Sequence, residues 1–449
     1  MAETGAFADV DTMQTGVGPQ LTPFQRIKAI LGGSAGNLVE WYDWFAYTSF
    51  SIYFASAFFP EGDNTAQLWK AAVLNVVSFG ARPIGAWAMG HFADKLGRRT
   101  ALVVSVLMMC VGALIIACTP TYAQIGLWAP AILVFARVVQ GLSVGGQYGA
   151  AATYMSEMAN RKRRGFWSSF QYVTLIGGQL LALLVMIILQ ATMDQADLKE
   201  WGWRIPFFIG AALALVVFFI QYSLHESHSF KNAKAAGHTQ NTALQNMGDL
   251  FTKYWKQTFI IMGLTAAGTS GFYAYTTYML KFLQNSATFS KEQASNINFV
   301  MLVAFMLFQP FAGWLSDILG RKTMLIGGFL LSVLAAVPIF SAIHGTTNIV
   351  VVTGLCIVPL IFLSGYTSIS AVVKAELFPA HVRALGVAFP YAVSNAIFGA
   401  LVEPLALGWK KSGTESYFYW YLAAVMLLGL LGALLLRETS REHSMILED

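Results

Sequence analysis

Apolar runs of about twenty residues recur along this chain, separated by short polar breaks, and twelve such runs can be counted. They fall at roughly 28–58, 68–92, 99–118, 128–157, 166–190, 203–223, 257–283, 294–316, 323–343, 348–376, 385–409 and 416–436. Each is long enough to cross a bilayer core as a helix. Lipid offers no hydrogen bonds to an exposed backbone, so these spans must be helices or a closed barrel. The short alternating strands of a transmembrane barrel are absent. The pattern predicts an all-α membrane protein of twelve transmembrane helices. Residues 225–256 form the longest hydrophilic interruption, with six spans on each side. The expected organisation is a disordered tail (1–23), a six-helix bundle (24–224), a linker (225–256), a second six-helix bundle (257–437) and a short tail (438–449).

Composition agrees with a lipid solvent. Of 449 residues, 56% are hydrophobic and only 11% charged, against about 25% charged in soluble domains. Lys70, Lys199, Arg204, Lys281, Lys291, Lys410 and Lys411 fall at one set of loops and span ends, while Arg82, Arg137 and Lys374 lie within spans. The other 18 of the 28 basic residues, including Lys95, Arg98, Arg99, Arg161, Lys162, Arg321 and Lys322, fall on the side that holds both termini. The positive-inside rule assigns that side to the cytoplasm. The net charge of +5 is explained by this placement, so no nucleic-acid partner is expected. Residues 1–23 lack the basic start of a secretory signal. The expected setting is the cytoplasmic membrane, with both termini inside.

Metal and cofactor chemistry find no support. Cys110, Cys118 and Cys356 all sit in apolar runs without metal-ligand spacing. His225, His228 and His238, with Glu226 among them, match no common zinc pattern and read as a solvated loop. Gly145-Gly146-Gln147-Tyr148-Gly149 and Gly177-Gly178-Gln179 lie inside spans. A phosphate loop needs a preceding strand, so these glycines are expected to serve close helix packing.

The two halves repeat each other. Gly90-His-Phe-Ala-Asp94-Lys-Leu-Gly97-Arg98-Arg99 follows span 2, and Gly313-Trp-Leu-Ser-Asp317-Ile-Leu-Gly320-Arg321-Lys322 follows span 8. Both read G-x-x-x-D-x-x-G-R-[RK]. Glu157 precedes Arg164 by seven residues, as Glu376 precedes Arg383. Parallel repeats of this kind are a known transporter construction. Gly90 and Gly313 suit close helix approach, Gly97 and Gly320 suit tight turns, and the charge of Asp94 suits the N-terminus of a neighbouring helix or a basic partner.

Ionisable residues at bilayer depth are candidates for function. Span 1 holds Asn37, Glu40, Trp41 and Trp44 on one helical face, with Asp43 beside them. Arg82 lies 12 residues before Asp94, or about 18 Å along a helix, and Arg137 lies within span 4. One reading is mutual ion pairing that holds helices together. The other is that an arginine grips a substrate carboxylate bidentately, while Glu40 or Asp43 takes up a proton as substrate competes for the arginine. The second half offers mainly hydroxyls and amides, including Thr269, Tyr273, Thr276, Gln309, Ser364, Thr367 and Asn395. Lys374, Glu376 and Glu403 read as structural or weak candidates.

The doubled loop motif, the six-plus-six spans and the middle linker resemble the major facilitator superfamily over residues 24–437. Asn37-Leu-Val-Glu40-Trp41-Tyr-Asp43, Arg82-Pro-Ile-Gly, the run from Arg137 to Gly149 and Trp201-Gly-Trp-Arg204-Ile-Pro-Phe resemble its metabolite:proton symporters. The stretch from Ser169 through Gln171 and Gln179, and Lys374-Ala-Glu-Leu-Phe-Pro-Ala-His-Val-Arg-Ala-Leu-Gly386, carry the likeness further. That family includes carriers for 2-oxoglutarate, citrate, proline and betaine, shikimate and dicarboxylates. The resemblance implies a major facilitator fold of two pseudo-symmetric bundles and proton-coupled import of 2-oxoglutarate by alternating access, in a monomer. It implies no chemistry on the substrate. Citrate or another di- or tricarboxylate is the alternative cargo, and a non-transporting sensor of such acids is the alternative class. The expected substrate-binding residues are Arg82, Arg137, Asn37, Trp41, Tyr148, Gln171, Tyr273 and Asn395. Glu40 and Asp43 are expected to couple protons. Asp94, Arg98, Asp317 and Arg321 are expected to gate. The family usually has Glu where this chain has Gln147, an amide that cannot titrate.

Overall fold

In the computed structural model, residues 23–60, 64–159, 163–224, 243–287 and 289–439 are described. Among them the chain forms twelve long helices: α1 (Pro23–Phe58), α2 (Asn64–Leu96), α3 (Arg98–Cys118), α4 (Trp128–Met158), α5 (Phe170–Thr192), α6 (Ile205–Tyr222), α7 (Trp255–Tyr273), α8 (Lys291–Leu319), α9 (Arg321–His344), α10 (Ile349–Thr367), α11 (Arg383–Ser394) and α12 (Ser416–Leu435). A short helix, Arg164–Ser168, precedes α5. Four of the predicted spans are therefore not single rods. α7 passes through a π turn (Ala274–Tyr278) into Met279–Asn285, and α11 passes through a second (Asn395–Gly399) into Ala400–Lys411. α10 bends at Ser368 and Ile369 before Ser370–Glu376. The fifth span is the fourth case, bending at Ser169 between Arg164–Ser168 and α5.

Nine helices among the described residues are long and apolar enough to cross a membrane. α1, α2 and α7 are not among them, and they carry Asn37, Glu40, Asp43, Arg82 and Thr269 toward the interior. The molecule is turned inside out relative to a soluble domain. Phe219, Leu307, Ile84 and Leu334 are exposed, while Glu40, Asp43, Arg82, Arg137 and Lys374 are buried. An apolar shell around a polar middle is the distribution that lipid solvent favours.

In the N-terminal half α2 and α3 pack on α4, α1 on α5 and α3 on α6; in the C-terminal half α9 packs on α10 and α12, α7 on α12 and α8 on α10. Between halves, α11 lies against α2 and α4, and α8 lies against Arg164–Ser168 and α5. The glycine clusters act at these crossings. A Cβ on Gly145 would lie 2.7 Å from the backbone nitrogen of Ala86, so α2 and α4 touch backbone to backbone where Arg82 sits. A Cβ on Gly90 would lie 2.9 Å from Cα of Leu385, at the contact between α2 and α11. Gly97 and Gly320, at φ 112° and 97°, make the turns α2–α3 and α8–α9, a conformation that side-chain-bearing residues rarely adopt.

Of the expected linker, 225–242 lies outside the described residues, but Ala243–Thr252 is a helix rather than loop. Its Leu250 is buried with Ile261, Phe378, Val382 and Leu385, which explains why an apolar residue recurs inside an otherwise polar stretch. The expected tail at 1–23 lies outside the described residues except for Pro23, which begins α1. Of 438–449 only Glu438 and Thr439 are described. The Glu438 carboxylate accepts from the backbone N–H groups of Arg321 (2.9 Å) and Lys322 (3.0 Å), capping α9.

Candidate functional site

The two loop motifs build matching structures at one end of the molecule. Asp94 accepts from the backbone N–H groups of Ala384 (3.1 Å) and Leu385 (3.0 Å), at the start of α11 in the other half. Asp317 accepts from those of Gly165 (2.8 Å) and Phe166 (2.9 Å), at the start of the short helix that leads into α5. Each aspartate thus satisfies N–H groups that a helix start leaves open, and sits at the positive end of its dipole. Arg98 donates to the Ala380 carbonyl (2.5 Å) and lies 3.3 Å from Asp94. Arg321 donates to Asp317 and to Ser316, both at 2.8 Å. Glu157 ties the halves again, at 2.6 Å from Arg383 and 3.7 Å from Arg98. Glu157 and Arg383 were visible in the sequence only as half of an echoed spacing; the cross-half pair follows from the repeat once the halves face each other.

At mid-depth the polar residues of α1 and α2 meet. Arg82 is 2% exposed, lies over the Phe79 ring at 3.9 Å, and has no hydrogen-bond partner for Nε or Nη1. Glu40 Oε2 also lacks a partner, as do both amide atoms of Gln171 and of Gln147. The Arg82 charge acts on Glu40, Tyr273 and Tyr391, so these four share one neighbourhood. Asn37 donates to the Gln171 carbonyl at 2.5 Å, fixing α1 to α5. Leaving buried charges and amides unsatisfied costs several kcal/mol in total, a cost that a polar ligand would offset.

Asp43 and Arg137 are arranged differently. Arg137 lies 3.8 Å from Asp43, donates to Gln140 at 2.9 Å and sits 4.1 Å from the Tyr47 ring centre. Asp43 approaches Gly210 of α6. This pair is built into the N-terminal bundle, whereas Arg82 keeps Nε and Nη1 without a partner.

A small cavity between the halves, of about 10 Å³, is lined by Trp41, Tyr172, Leu175, Thr269, Phe272, Tyr273, Tyr391 and Asn395. Trp41 meets Phe272 at 5.6 Å, and Tyr273 meets Trp44 at 5.8 Å and Phe79 at 6.2 Å. These rings close α1 and α2 against α7. Tyr273 and Asn395 sit at the two π turns, a distortion often found at functional sites. The expected set therefore divides. Trp41, Tyr273 and Asn395 line the cavity, while Asn37, Gln171, Glu40 and Arg82 are not among its lining residues but belong to the buried polar surroundings. Thr276, Ser364, Thr367 and Gln309 instead bond within their own half: Thr276 to the Phe272 carbonyl, and Gln309 to Ser364 and Thr367.

Tyr148 contacts the C-terminal half directly. Its ring stacks on Tyr391 at 3.6 Å and 8°, joining α4 to α11. Lys374 Nζ donates to the Tyr148 hydroxyl at 2.8 Å and lies 4.6 Å from the Tyr391 ring centre. The sequence reading treated Lys374 as structural because it lies close to the end of its span. The bend at Ser368 and Ile369 precedes the segment that carries it, and that bend had no glycine or proline to announce it.

Twelve long helices in two latched halves, with unsatisfied polar groups buried between them, define a secondary carrier of the major facilitator type. The chain matches the family model described as sugar (and other) transporter over residues 29–442 and belongs to that family. It is 48% identical over 420 residues to the alpha-ketoglutarate permease of Escherichia coli (strain K12), across 93% of this chain and 95% of that protein. A citrate-proton symporter of Salmonella typhi is 30% identical, across 90% of this chain and 92% of that one. Among solved structures, the proton:xylose symporter XylE bound to 6-bromo-6-deoxy-D-glucose matches with a TM-score of 0.76 at 18% identity, across 92% of this chain and 95% of that chain, which shows the shared fold. The chain is a multi-pass membrane transporter rather than an enzyme, as the sequence predicted.

Proposed function

We propose that this chain imports 2-oxoglutarate together with protons across the bacterial inner membrane by alternating access. The observation that carries the reading is Arg82, a buried guanidinium whose Nε and Nη1 lack partners, beside Glu40, whose Oε2 lacks one. Similarity to the alpha-ketoglutarate permease supports the cargo. In this mechanism Arg82 takes a substrate carboxylate bidentately. Glu40, losing the field of Arg82 to the substrate, carries the proton. Trp41, Tyr273, Thr269 and Asn395 enclose the carbon chain and the keto oxygen. Asn37 and Gln171 hold α1 against α5, and Arg137 holds Asp43 inside its bundle. The latch residues Asp94, Arg98, Asp317 and Arg321, with Glu157 and Arg383, close the cytoplasmic end when the carrier faces outward. The basic loops of that end keep both termini in the cytoplasm, and a single chain holds the whole path.

Another di- or tricarboxylate is the second reading, favoured by the citrate-proton symporter relative and by the amide at Gln147. Uptake of labelled 2-oxoglutarate into proteoliposomes, with and without an inward proton gradient, separates the two. The expected result is gradient-driven accumulation blocked best by unlabelled 2-oxoglutarate among citrate, succinate, shikimate and betaine. Accumulation of citrate or succinate instead keeps the carrier and replaces the cargo. The absence of any gradient effect removes the proton.

A further inference from the structure

Lys374 is buried in the interior, 1% exposed, on the Ser370–Glu376 segment of the C-terminal half. Its Nζ makes one hydrogen bond, to the Tyr148 hydroxyl, and is ringed by Tyr148 (4.8 Å), Tyr366 (5.4 Å) and Tyr391 (4.6 Å). An ammonium has three donors, so two remain without an acceptor. Aromatic faces offset part of the cost of burying the charge, but a ring face does not satisfy an N–H donor as an oxygen acceptor does. The carboxylates nearest in sequence or at the same end are taken. Glu157 is held by Arg383 and Arg98, Glu376 accepts from Thr439, and Asp94 caps α11. Among the described residues no carboxylate pairs with Lys374. Tyr391 meanwhile belongs to two places at once: it lines the cavity, where the charge of Arg82 reaches it, and its ring walls the lysine.

From this we infer that Lys374 is the second carboxylate anchor of the transported acid, contributed by the C-terminal half as Arg82 is contributed by the N-terminal half. The inference rests on the dicarboxylate reading above and adds what that reading lacks, a reason for two carboxylates. A ligand that reaches from Arg82 past Tyr391 to Lys374 bridges the halves. A monocarboxylate or a zwitterion with one carboxylate leaves one cation unanswered. Lys374 is thereby a selectivity residue, and the Tyr148–Tyr391 stack is the partition the ligand passes.

The test measures binding by the purified full chain in lipid nanodiscs, using 2-oxoglutarate and 2-oxopentanoate, the same chain without its distal carboxylate. Lys374→Gln is expected to weaken 2-oxoglutarate by at least about tenfold, as loss of a buried charge partner does, and to leave 2-oxopentanoate within about twofold of the wild type. Lys374→Arg is expected to regain part of the difference. Unchanged 2-oxoglutarate binding in Lys374→Gln overturns the assignment, and so does equal weakening of both acids with a lowered melting temperature, the mark of a packing role. Wild-type protein that binds neither 2-oxoglutarate nor citrate overturns the dicarboxylate reading itself, and this inference with it.

Discussion

At the latch the two halves are near copies, and at mid-depth they are not. Asp94 caps α11 with two backbone hydrogen bonds, and Asp317 caps Arg164–Ser168 with two more, so the motif in each half holds a helix start in the other. Deeper in, the N-terminal half buries Glu40, Asp43, Arg82 and Arg137, while the C-terminal half answers with tyrosines, amides and Lys374. On the proposed function, the shared aspartate caps serve the movement of both halves, and the unlike residues at mid-depth serve a ligand without two-fold symmetry.

The strongest way to break that comparison is to remove the charge that only one half has. Arg82→Gln is expected to lower 2-oxoglutarate uptake by at least about thirtyfold, since truncating one partner of a buried hydrogen-bonded charge pair costs ~2–5 kcal/mol. Exchange of internal for external substrate should fall equally, because binding itself is lost. Arg82→Lys keeps the charge but not the planar fork and should recover only part of the activity. Full activity in Arg82→Gln would move the anchor elsewhere and leave the asymmetry without a function.

The next test separates the two carboxylates. Glu40→Gln should abolish accumulation driven by a proton gradient while retaining counterflow, since an amide can bind but cannot carry the proton. Asp43→Asn should behave differently. It leaves Arg137 without its carboxylate at 3.8 Å, so the expected loss is in melting temperature and yield, with any remaining uptake still coupled. Proton-driven accumulation in the Glu40→Gln protein would transfer coupling to Asp43 or away from both.

How far these roles were legible differs between the two regions. Twelve spans, two halves and the latch motifs were readable because membrane helices have a length fixed by the bilayer, and because Gly97, Gly320, Asp94 and Asp317 recur in register. Glu40 and Arg82 were readable because charge in an apolar run is rare. Arg137 and Asp43 carried the same signal, and nothing local shows that the two pair within their own bundle. Tyr172 and Tyr366 were missed because tyrosines are common in spans, and their convergence with Tyr391, a candidate hydroxyl from the sequence, depends on how the helices from both halves meet. The surroundings of Lys374 were not legible because depth was counted along a straight helix, and the chain bends before it.

A smaller effect is expected from the latch. Asp94→Asn removes a charge from a helix start, worth ~0.5–2 kcal/mol, and should shift the carrier by about tenfold toward the state open at that end. The readout is thiol labelling of Ala152→Cys, a buried site in the cluster with Tyr148 and Tyr391, in a protein whose Cys110, Cys118 and Cys356 are replaced by Ser. Asp317→Asn should shift labelling in the same direction but less, because Asp94 also adjoins the Arg98–Glu157–Arg383 pairs that span the halves. A larger shift from Asp317→Asn would show that the copy in the C-terminal half dominates closure.

The smallest effect is expected where the C-terminal half does have an intramembrane ion pair. Glu403 pairs with Lys281 between α11's continuation and α7's, but both side chains are more than a third exposed (35% and 42%). Pairs in that setting are worth ~0–1 kcal/mol, and Glu403 does not line the cavity. Glu403→Gln should therefore change uptake by less than about twofold and leave gradient dependence intact. If it uncoupled transport instead, the proton path would run through the C-terminal half. The division between a charged N-terminal half and a Lys374-bearing partner would then describe substrate binding alone, with coupling shared by both.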